Sequence, residues 1–273
     1  MHSETMGHLE KIENTMVQES VLGFNPSILF ILDDVEVGKK EIEDMKPKLG
    51  PEMFAYLFKI ANSAYHGSVK MSPVTNFFGV VNRLGMQHTK VLILLFAMHR
   101  LAKGSLEAET IYEKSFCASA MGKIMSMEFG LRDDRMRQVE LACLLSSIGL
   151  MMMTVYRNKY HDGSFDLSAD FIEKNHLRFT ERIIRRFQFP DYLHGMLMSD
   201  CFSLERMGIG LGTVVKLAIS AVEYSFKSMG NKLVFSSPSI RANEDRFASS
   251  LAGMIEEHFK AAGLSKCLVM TTV

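Results

Sequence analysis

The sequence is short of several residue types whose abundance would define a class of protein. It has no tryptophan, six prolines and four cysteines among 273 residues, and the cysteines lie far apart without a CxxC pair. This cysteine pattern excludes a disulfide framework and a zinc ribbon, and it fits a reducing compartment. Because prolines are few and no linker is low in complexity, we expect one continuous body rather than separate beads.

Net charge and long apolar runs are also missing. The 31 basic and 31 acidic residues cancel, so no overall field favours nucleic acid or an anionic membrane surface. The longest purely apolar run, Val91 to Met98, has eight residues, far fewer than the roughly 20 that a membrane-spanning helix needs. The N-terminal segment lacks the apolar core of a secretory signal. These patterns predict a soluble, cytoplasmic protein with no membrane partner.

Apolar residues recur at helical spacing along most of the chain. The clearest faces are Met53, Leu57, Ile60 and Ala61; Val91, Leu94, Leu95 and Met98; and Phe179, Ile183, Ile184 and Phe187. Ser72 and Pro73 have the form of an N-cap and first helical residue, and Gly85 has the form of a helix end. No pair of strands is evident. We therefore predict an all-α fold, a multi-helix bundle, with a final amphipathic helix that carries Phe247, Leu251, Met254 and Ile255.

The stretch ELACLLSSIGLMMM, residues 140–153, has the pattern of a buried helix with two adjacent serines in its middle. Serine suits the interior of an apolar helix poorly, because its hydroxyl competes for nearby backbone groups. We interpret Ser146, Ser147 and Gly149 as small residues that let a neighbouring helix approach closely. A serine nucleophile is not indicated, since no GxSxG motif is present.

Several motifs occur in the order typical of one family. FKIANSAYHG is followed by VTNFFGVVNRLG, and then by SFCASAMGKIMSMEFGL and ELACLLSSIGL. The motif residues are Asn62, Ser63, Ala64, Leu84, Gly85, His176, Thr180, Phe187 and Pro190. The sequence resembles the HDOD family of bacterial signalling domains, degenerate relatives of the HD phosphohydrolases. This resemblance implies an HD-like helical bundle, the HDOD fold, over residues 22–230. A helical extension would precede it at 1–21, and a loop and helix packed on the same body would follow at 231–273.

The same resemblance implies that a metal site has been lost. Ser146 and Ser147 stand where HD enzymes carry adjacent His and Asp ligands, and Asp200 and Ile219 stand at two further vacated positions. Neutral hydroxyls do not replace an imidazole and a carboxylate around a divalent ion. We therefore expect no bound metal, no cofactor and no metal-assisted hydrolysis. The vacated cleft would be either filled by side chains or converted to a ligand pocket.

The family resemblance implies a regulatory protein that binds a signalling protein or a small ligand, either as a monomer or as a homodimer. Two alternatives remain open. A divergent phosphohydrolase would have to rebuild its metal site from His161, Asp162, His176, His194 and Asp200, although His161-Asp162 lies in a polar segment typical of a surface loop. A nucleic-acid-binding regulator would use a basic stripe on one helix, Arg178, Arg182, Arg185 and Arg186. The simpler interpretation of that stripe is a solvated helix face partly paired through Glu181, and the neutral net charge makes nucleic acid an improbable partner.

Overall fold

The computed structural model describes the backbone of residues 2–32, 37–62, 72–198, 204–205, 208–229, 232–236 and 268–271, and the side chains of 4–32, 37–62, 72–198 and 210–223. Helices dominate this described part, which confirms the predicted all-α bundle class. The helices are α1 (His2–Met16), α2 (Glu19–Leu22), α3 (Ser27–Ile31), α4 (Lys39–Asp44), α5 (Lys46–Leu49), α6 (Pro51–Ala61), α7 (Phe77–Leu84), α8 (Met86–Ala102), α9 (Leu106–Glu128), α10 (Asp133–Leu145), α11 (Ile148–Lys159), α12 (Ala169–Arg186), α13 (Asp191–Met198) and α14 (Leu211–Ser225). The strands are β1 (Leu204–Glu205), β2 (Gly208–Ile209), β3 (Phe226–Met229), β4 (Lys232–Ser236) and β5 (Leu268–Thr271).

One compact unit comprises Met1–Ala61, Pro73–Tyr112 and Ser146–Pro190. The apolar faces predicted on α6, α8 and α12 are all buried in it, so the helical periodicity is confirmed there. Eleven of the seventeen residues of α8 are buried, and α11 buries three consecutive methionines, residues 151–153. Methionine side chains are unbranched and adaptable, so they fill irregular spaces in such a core well.

The other compact unit comprises Asn62–Ser72, Glu113–Leu145 and Asp191–Val273. Its helices pack closely at Gly122 of α9, where a Cβ would lie 2.9 Å from Cys143 Sγ of α10 and 3.7 Å from Ala218 Cβ of α14. Cys117 and Cys143 are both buried, and burial raises the pKa of both thiols. Neither cysteine therefore has the character of a reactive thiolate.

Short paired strands occur where the sequence pattern gave no sign of them. β1 pairs antiparallel with β2, and β4 lies between antiparallel β3 and parallel β5. Strands of two to five residues are too short for a period-two pattern to be recognised. The predicted final helix, within residues 243–273, lies outside the described residues apart from β5.

The start of α7 differs from the prediction. The helix begins at Phe77 rather than at Pro73, because Asn76 is the N-cap and its side chain accepts a hydrogen bond from the Gly79 N–H at 2.7 Å. Asparagine caps a helix as well as serine does, so the Ser-Pro pair was not a unique start signal. The predicted end at Gly85 is confirmed, since this glycine has a φ of +85° and separates α7 from α8.

One stretch, Asp133–Lys159, is long and apolar enough by composition to cross a membrane. It comprises α10 and α11, and 83% of its most apolar window is buried inside the protein. Such burial is typical of helices in a protein core, which are apolar on every side.

Candidate functional site

The two serines lie in a turn between helices, not inside one helix. α10 ends at Leu145 and α11 begins at Ile148. The Ser147 side chain makes no capping hydrogen bond, while its carbonyl accepts the Met151 N–H at 2.9 Å. Ser146 is buried, with 8% of its surface exposed. The prediction of one continuous helix is therefore wrong, because the apolar periodicity continues across a break that serines favour.

Gly149, two residues beyond the serines, sets the distance between α11 and α12. A Cβ at this position would lie 2.3 Å from the His176 carbonyl oxygen and 2.4 Å from Thr180 Oγ1. The Gly149 N–H donates to Thr180 Oγ1 at 3.1 Å, and that hydroxyl donates to the His176 carbonyl at 2.9 Å. Close helix approach at a small residue is thus confirmed for Gly149. This contact joins two residues of the family pattern to the LLSSIG segment.

The His176 side chain is half-buried on α12. Its Nδ1 is buried, and no hydrogen-bond partner for it occurs in the described part of the chain. Burial lowers the pKa of His176 below its ordinary value of 6.5, and the nearby Glu173 carboxylate opposes this shift. The imidazole is therefore in the neutral form at pH 7, as a metal ligand or a proton acceptor requires.

The residues at the positions predicted to have lost their metal ligands do not fit a hydrolytic metal centre. Ser146 and Ser147 offer hydroxyl groups only, and half-buried Ile219 of α14 offers no donor atom. Asp200 lies outside the described residues. Among the residues described, no three His, Cys, Asp or Glu side chains are grouped as ligands of one ion would be. Catalytic zinc takes three such ligands, so we derive no step through a metal.

His161 and Asp162 lie in the loop after α11, as the sequence predicts. Asp162 accepts hydrogen bonds from Lys11 Nζ at 2.9 Å and from the Ser164 N–H at 3.0 Å. Bonds from Ser164, together with Lys11, hold the pKa of Asp162 well below its ordinary range. The His161 ring nitrogen Nε2 is 2.9 Å from the Phe165 carbonyl oxygen. Both side chains thus support the loop. His194, the other predicted histidine, is half-buried on α13.

Ion pairs already use part of the predicted basic stripe on α12. Arg182 Nε donates to Glu13 Oε2 of α1 at 2.7 Å, and Arg185 lies 2.8 Å from Glu181. The pairing through Glu181 is the one expected for a solvated helix face. The other two stripe residues are half-buried Arg178 and exposed Arg186.

The segment FQFP, residues 187–190, closes the C-terminal end of α12. Gln188 has a left-handed φ of +52°, which permits the Phe189 N–H to donate to the Ile184 carbonyl at 3.0 Å. This is the reversed turn that commonly ends a helix, although glycine usually occupies the left-handed position. Phe187 is 1% exposed, and half-buried Pro190 precedes α13. α13 begins at the next residue, Asp191.

A buried lysine, which the sequence pattern does not reveal, lies against this turn. Lys90 of α8 is fully buried, with Nζ 3.5 Å from the Gln188 carbonyl oxygen and 4.7 Å from the centre of the Phe189 ring. A cation here complements the carbonyl groups at the C-terminal end of α12 and the face of the aromatic ring. No sequence signal identifies it, because lysines beside apolar runs usually lie at the surface.

The Asn-Ser-Ala motif follows α6 directly. Asn62 is exposed, and Ser63 and Ala64 lie outside the described residues. The carbonyl of Ala61, the last residue of α6, accepts a hydrogen bond from Arg83 Nη1 at 3.2 Å. Arg83 immediately precedes Leu84, which is 3% exposed. Arg83 therefore links the end of α6, just before the Asn-Ser-Ala motif, to the helix that carries Leu84. The sequence did not indicate this role for Arg83.

Comparison with known proteins identifies the family. The HDOD domain model matches residues 48–198, more than half of the chain, and the chain therefore belongs to the HDOD family. The match is narrower than the 22–230 range expected from the motifs. A search of curated proteins finds no match.

Two crystal structures match this chain over most of its length. One, from Shewanella amazonensis SB2B and provisionally named a metal-dependent phosphohydrolase, has a TM-score of 0.58 at 15% identity and covers 97% of this chain and 98% of its own. The other, an HDOD domain protein with unknown function from Geobacter sulfurreducens, has a TM-score of 0.48 at 16% identity and covers 94% of this chain and 90% of its own. At such low identity, the first of these likenesses establishes the fold alone.

Proposed function

We propose that this protein is a catalytically inert HDOD regulator of bacterial signal transduction, which works in the cytoplasm by binding a protein or a small ligand. The observation that carries this proposal is the pair Ser146 and Ser147 at the α10–α11 turn. The family resemblance gives these positions to a His-Asp pair in the HD enzymes. Hydroxyl groups there supply neither the charge nor the donor strength that a catalytic divalent ion needs.

Without these ligands the protein would hold no catalytic ion, and without the ion it would lack the chemistry for hydrolysis. Phosphate-ester hydrolysis in such a site depends on a metal that lowers the pKa of bound water and polarises a phosphoryl oxygen. The neutral imidazole of His176 is a usable donor, but a single imidazole does not hold a catalytic ion. Binding is the function that remains for the fold.

The experiment is a hydrolysis assay with p-nitrophenyl phosphate and bis(p-nitrophenyl) phosphate, each with added Mg²⁺, Mn²⁺, Zn²⁺ or Ni²⁺. We expect rates equal to those of the same metal in buffer. Turnover that scales with protein concentration and is lost in His176→Gln would contradict the proposal and favour the rebuilt phosphohydrolase. Lys174→Gln, at an exposed position on the same helix, is the matched control.

Nucleic-acid binding makes a separate prediction. It requires an affinity that falls steeply with salt and a salt dependence that flattens when Arg178 and Arg186 become alanine. If the protein instead binds a protein or a small ligand, we expect no such salt-dependent retention on DNA or RNA. The reason is that Glu13 and Glu181 partly neutralise the charge of the stripe.

A further inference from the structure

Helix α1 lies outside the part of the chain that the family model matches. It packs on α11 and α12, and three of its apolar side chains, Leu9, Ile12 and Met16, are fully buried. Their spacing of three and four residues puts them on one face of the helix. This arrangement is that of an amphipathic helix in an apolar groove, a common mode of peptide recognition.

Polar contacts fix the register of α1 at one edge of the groove. Lys11 Nζ donates to Asp162 Oδ2 at 2.9 Å and to Ser164 Oγ at 2.8 Å. One turn earlier, the His8 ring stacks on Phe165, with 4.2 Å between the ring centres. All three partners lie in the loop between α11 and α12, so this loop contacts a basic side chain and an aromatic ring of α1.

An ion pair fixes α1 on α12. Residue Glu13 is 9% exposed, and its carboxylate accepts a hydrogen bond from Arg182 Nε at 2.7 Å. A largely desolvated carboxylate needs such a partner, because its removal from water is costly unless the charge is paired. Arg182 therefore pairs with an acidic residue at this position of α1.

Among the described residues, fewer side chains are buried in α1 than in the central helix α8 of the same unit. Four of its residues, Leu9, Ile12, Glu13 and Met16, are buried, compared with eleven in α8. Elements with few buried apolar contacts open locally at a lower free energy than the core does. Local opening of α1 would expose the groove while the rest of the unit stays folded.

We infer that α1 is an internal ligand of a helix-docking groove on α11, α12 and the loop between them, and that a partner helix displaces it. The partner is an amphipathic helix with three apolar residues at the spacing of Leu9, Ile12 and Met16, a carboxylate for Arg182 and a lysine for Asp162. This inference rests on the proposed binding function and names its surface. Displacement couples partner binding to release of α1, because both helices require the same groove.

The test has two parts, both on the full chain. Hydrogen exchange followed by mass spectrometry compares α1 with α8 in the wild type, in Glu13→Ala and in the control Glu10→Ala, which removes an exposed carboxylate from the same helix. Fluorescence anisotropy then measures binding of a labelled peptide of residues 2–18, in its native form and with Glu13→Arg, to the wild type and to Arg182→Glu.

We expect α1 to exchange faster than α8, and Glu13→Ala to speed exchange in α1 alone by about tenfold or more, with no such change in Glu10→Ala. The charge-reversed peptide should bind saturably to Arg182→Glu, and the native peptide should not. Exchange of α1 only at the rate of α8, or no binding of the reversed peptide to Arg182→Glu with its α8 protection intact, would overturn the inference. Neither outcome bears on hydrolysis, so failure here is distinct from failure of the proposed function.

Discussion

Replacing Gly149 with alanine places a methyl group where the backbone of α12 already lies. The new Cβ would be 2.3 Å from the His176 carbonyl oxygen, 2.4 Å from Thr180 Oγ1 and 2.6 Å from the Thr180 nitrogen. Two of these three atoms belong to the backbone of a helix, so they do not move aside by a change of rotamer. The substitution must therefore push α11 away from α12.

Two effects of the substitution lower the free energy of unfolding, and one raises it. Overpacking of a well-filled interior costs about 1–3 kcal/mol. Separation of the helices also weakens the hydrogen bond from the Gly149 N–H to Thr180 Oγ1, for which about 1 kcal/mol is typical. The better helix propensity of alanine offsets at most about 1 kcal/mol. We expect a net loss of roughly 1–3 kcal/mol in the free energy of unfolding, a large share of the stability of an ordinary domain.

Urea denaturation followed by circular dichroism measures this loss. Gly7→Ala is the matched control, because Gly7 lies in α1 and a Cβ there meets no atom within 4 Å. Adding Thr180→Ala to Gly149→Ala should restore little, since it removes one close contact and leaves both backbone contacts. If Gly149→Ala were as stable as the wild type, the close approach of α11 and α12 would be refuted.

Three further predictions concern α12 and its C-terminal turn. Gln188→Gly should stabilise the protein by about 0.5–1 kcal/mol, because it relieves a left-handed φ at a non-glycine residue, and Gln188→Val should destabilise it; urea midpoints measure both. Lys90→Ala should cost about 2–4 kcal/mol by emptying a fully buried site, whereas exposed Lys174→Ala should change stability by less than about 0.5 kcal/mol in the same assay. Because burial lowers the folded-state pKa of His176, the unfolded chain takes up its proton first. Stability should therefore fall as pH drops below 6.5, and His176→Gln should flatten that fall in thermal melts; an unchanged slope would contradict the assignment.

The sequence predicts the helices well because most of them bury a wide apolar stripe. The faces of α6, α8 and α12 were recognisable from spacing alone, and each is buried. Gly149 was also recognisable, since a glycine inside an apolar helical pattern usually has a packing reason. These features depend on local periodicity and residue size, which one sequence displays directly.

Features that depend on distant parts of the chain were not predictable. The break at Ser146 and Ser147 does not disturb the apolar periodicity, so pattern alone gives one helix instead of two. Lys90 is buried because the end of α12 meets α8, 98 residues away in the chain. Likewise, nothing in the sequence near Arg182 indicates that its partner is Glu13, 169 residues earlier. Tertiary contacts determine the burial and the partners of such residues, and local sequence propensity does not report on those contacts.

Elemental analysis of the purified, untagged protein for magnesium and the transition metals after gel filtration tests directly whether the metal site has been lost. We predict far less than one equivalent of any metal, because Ser146 and Ser147 offer no His-Asp ligand pair at the family position. One or two tightly held equivalents that survive dialysis, together with turnover of a phosphate ester, would contradict it. Ligands from elsewhere in the chain would then have to converge on an ion.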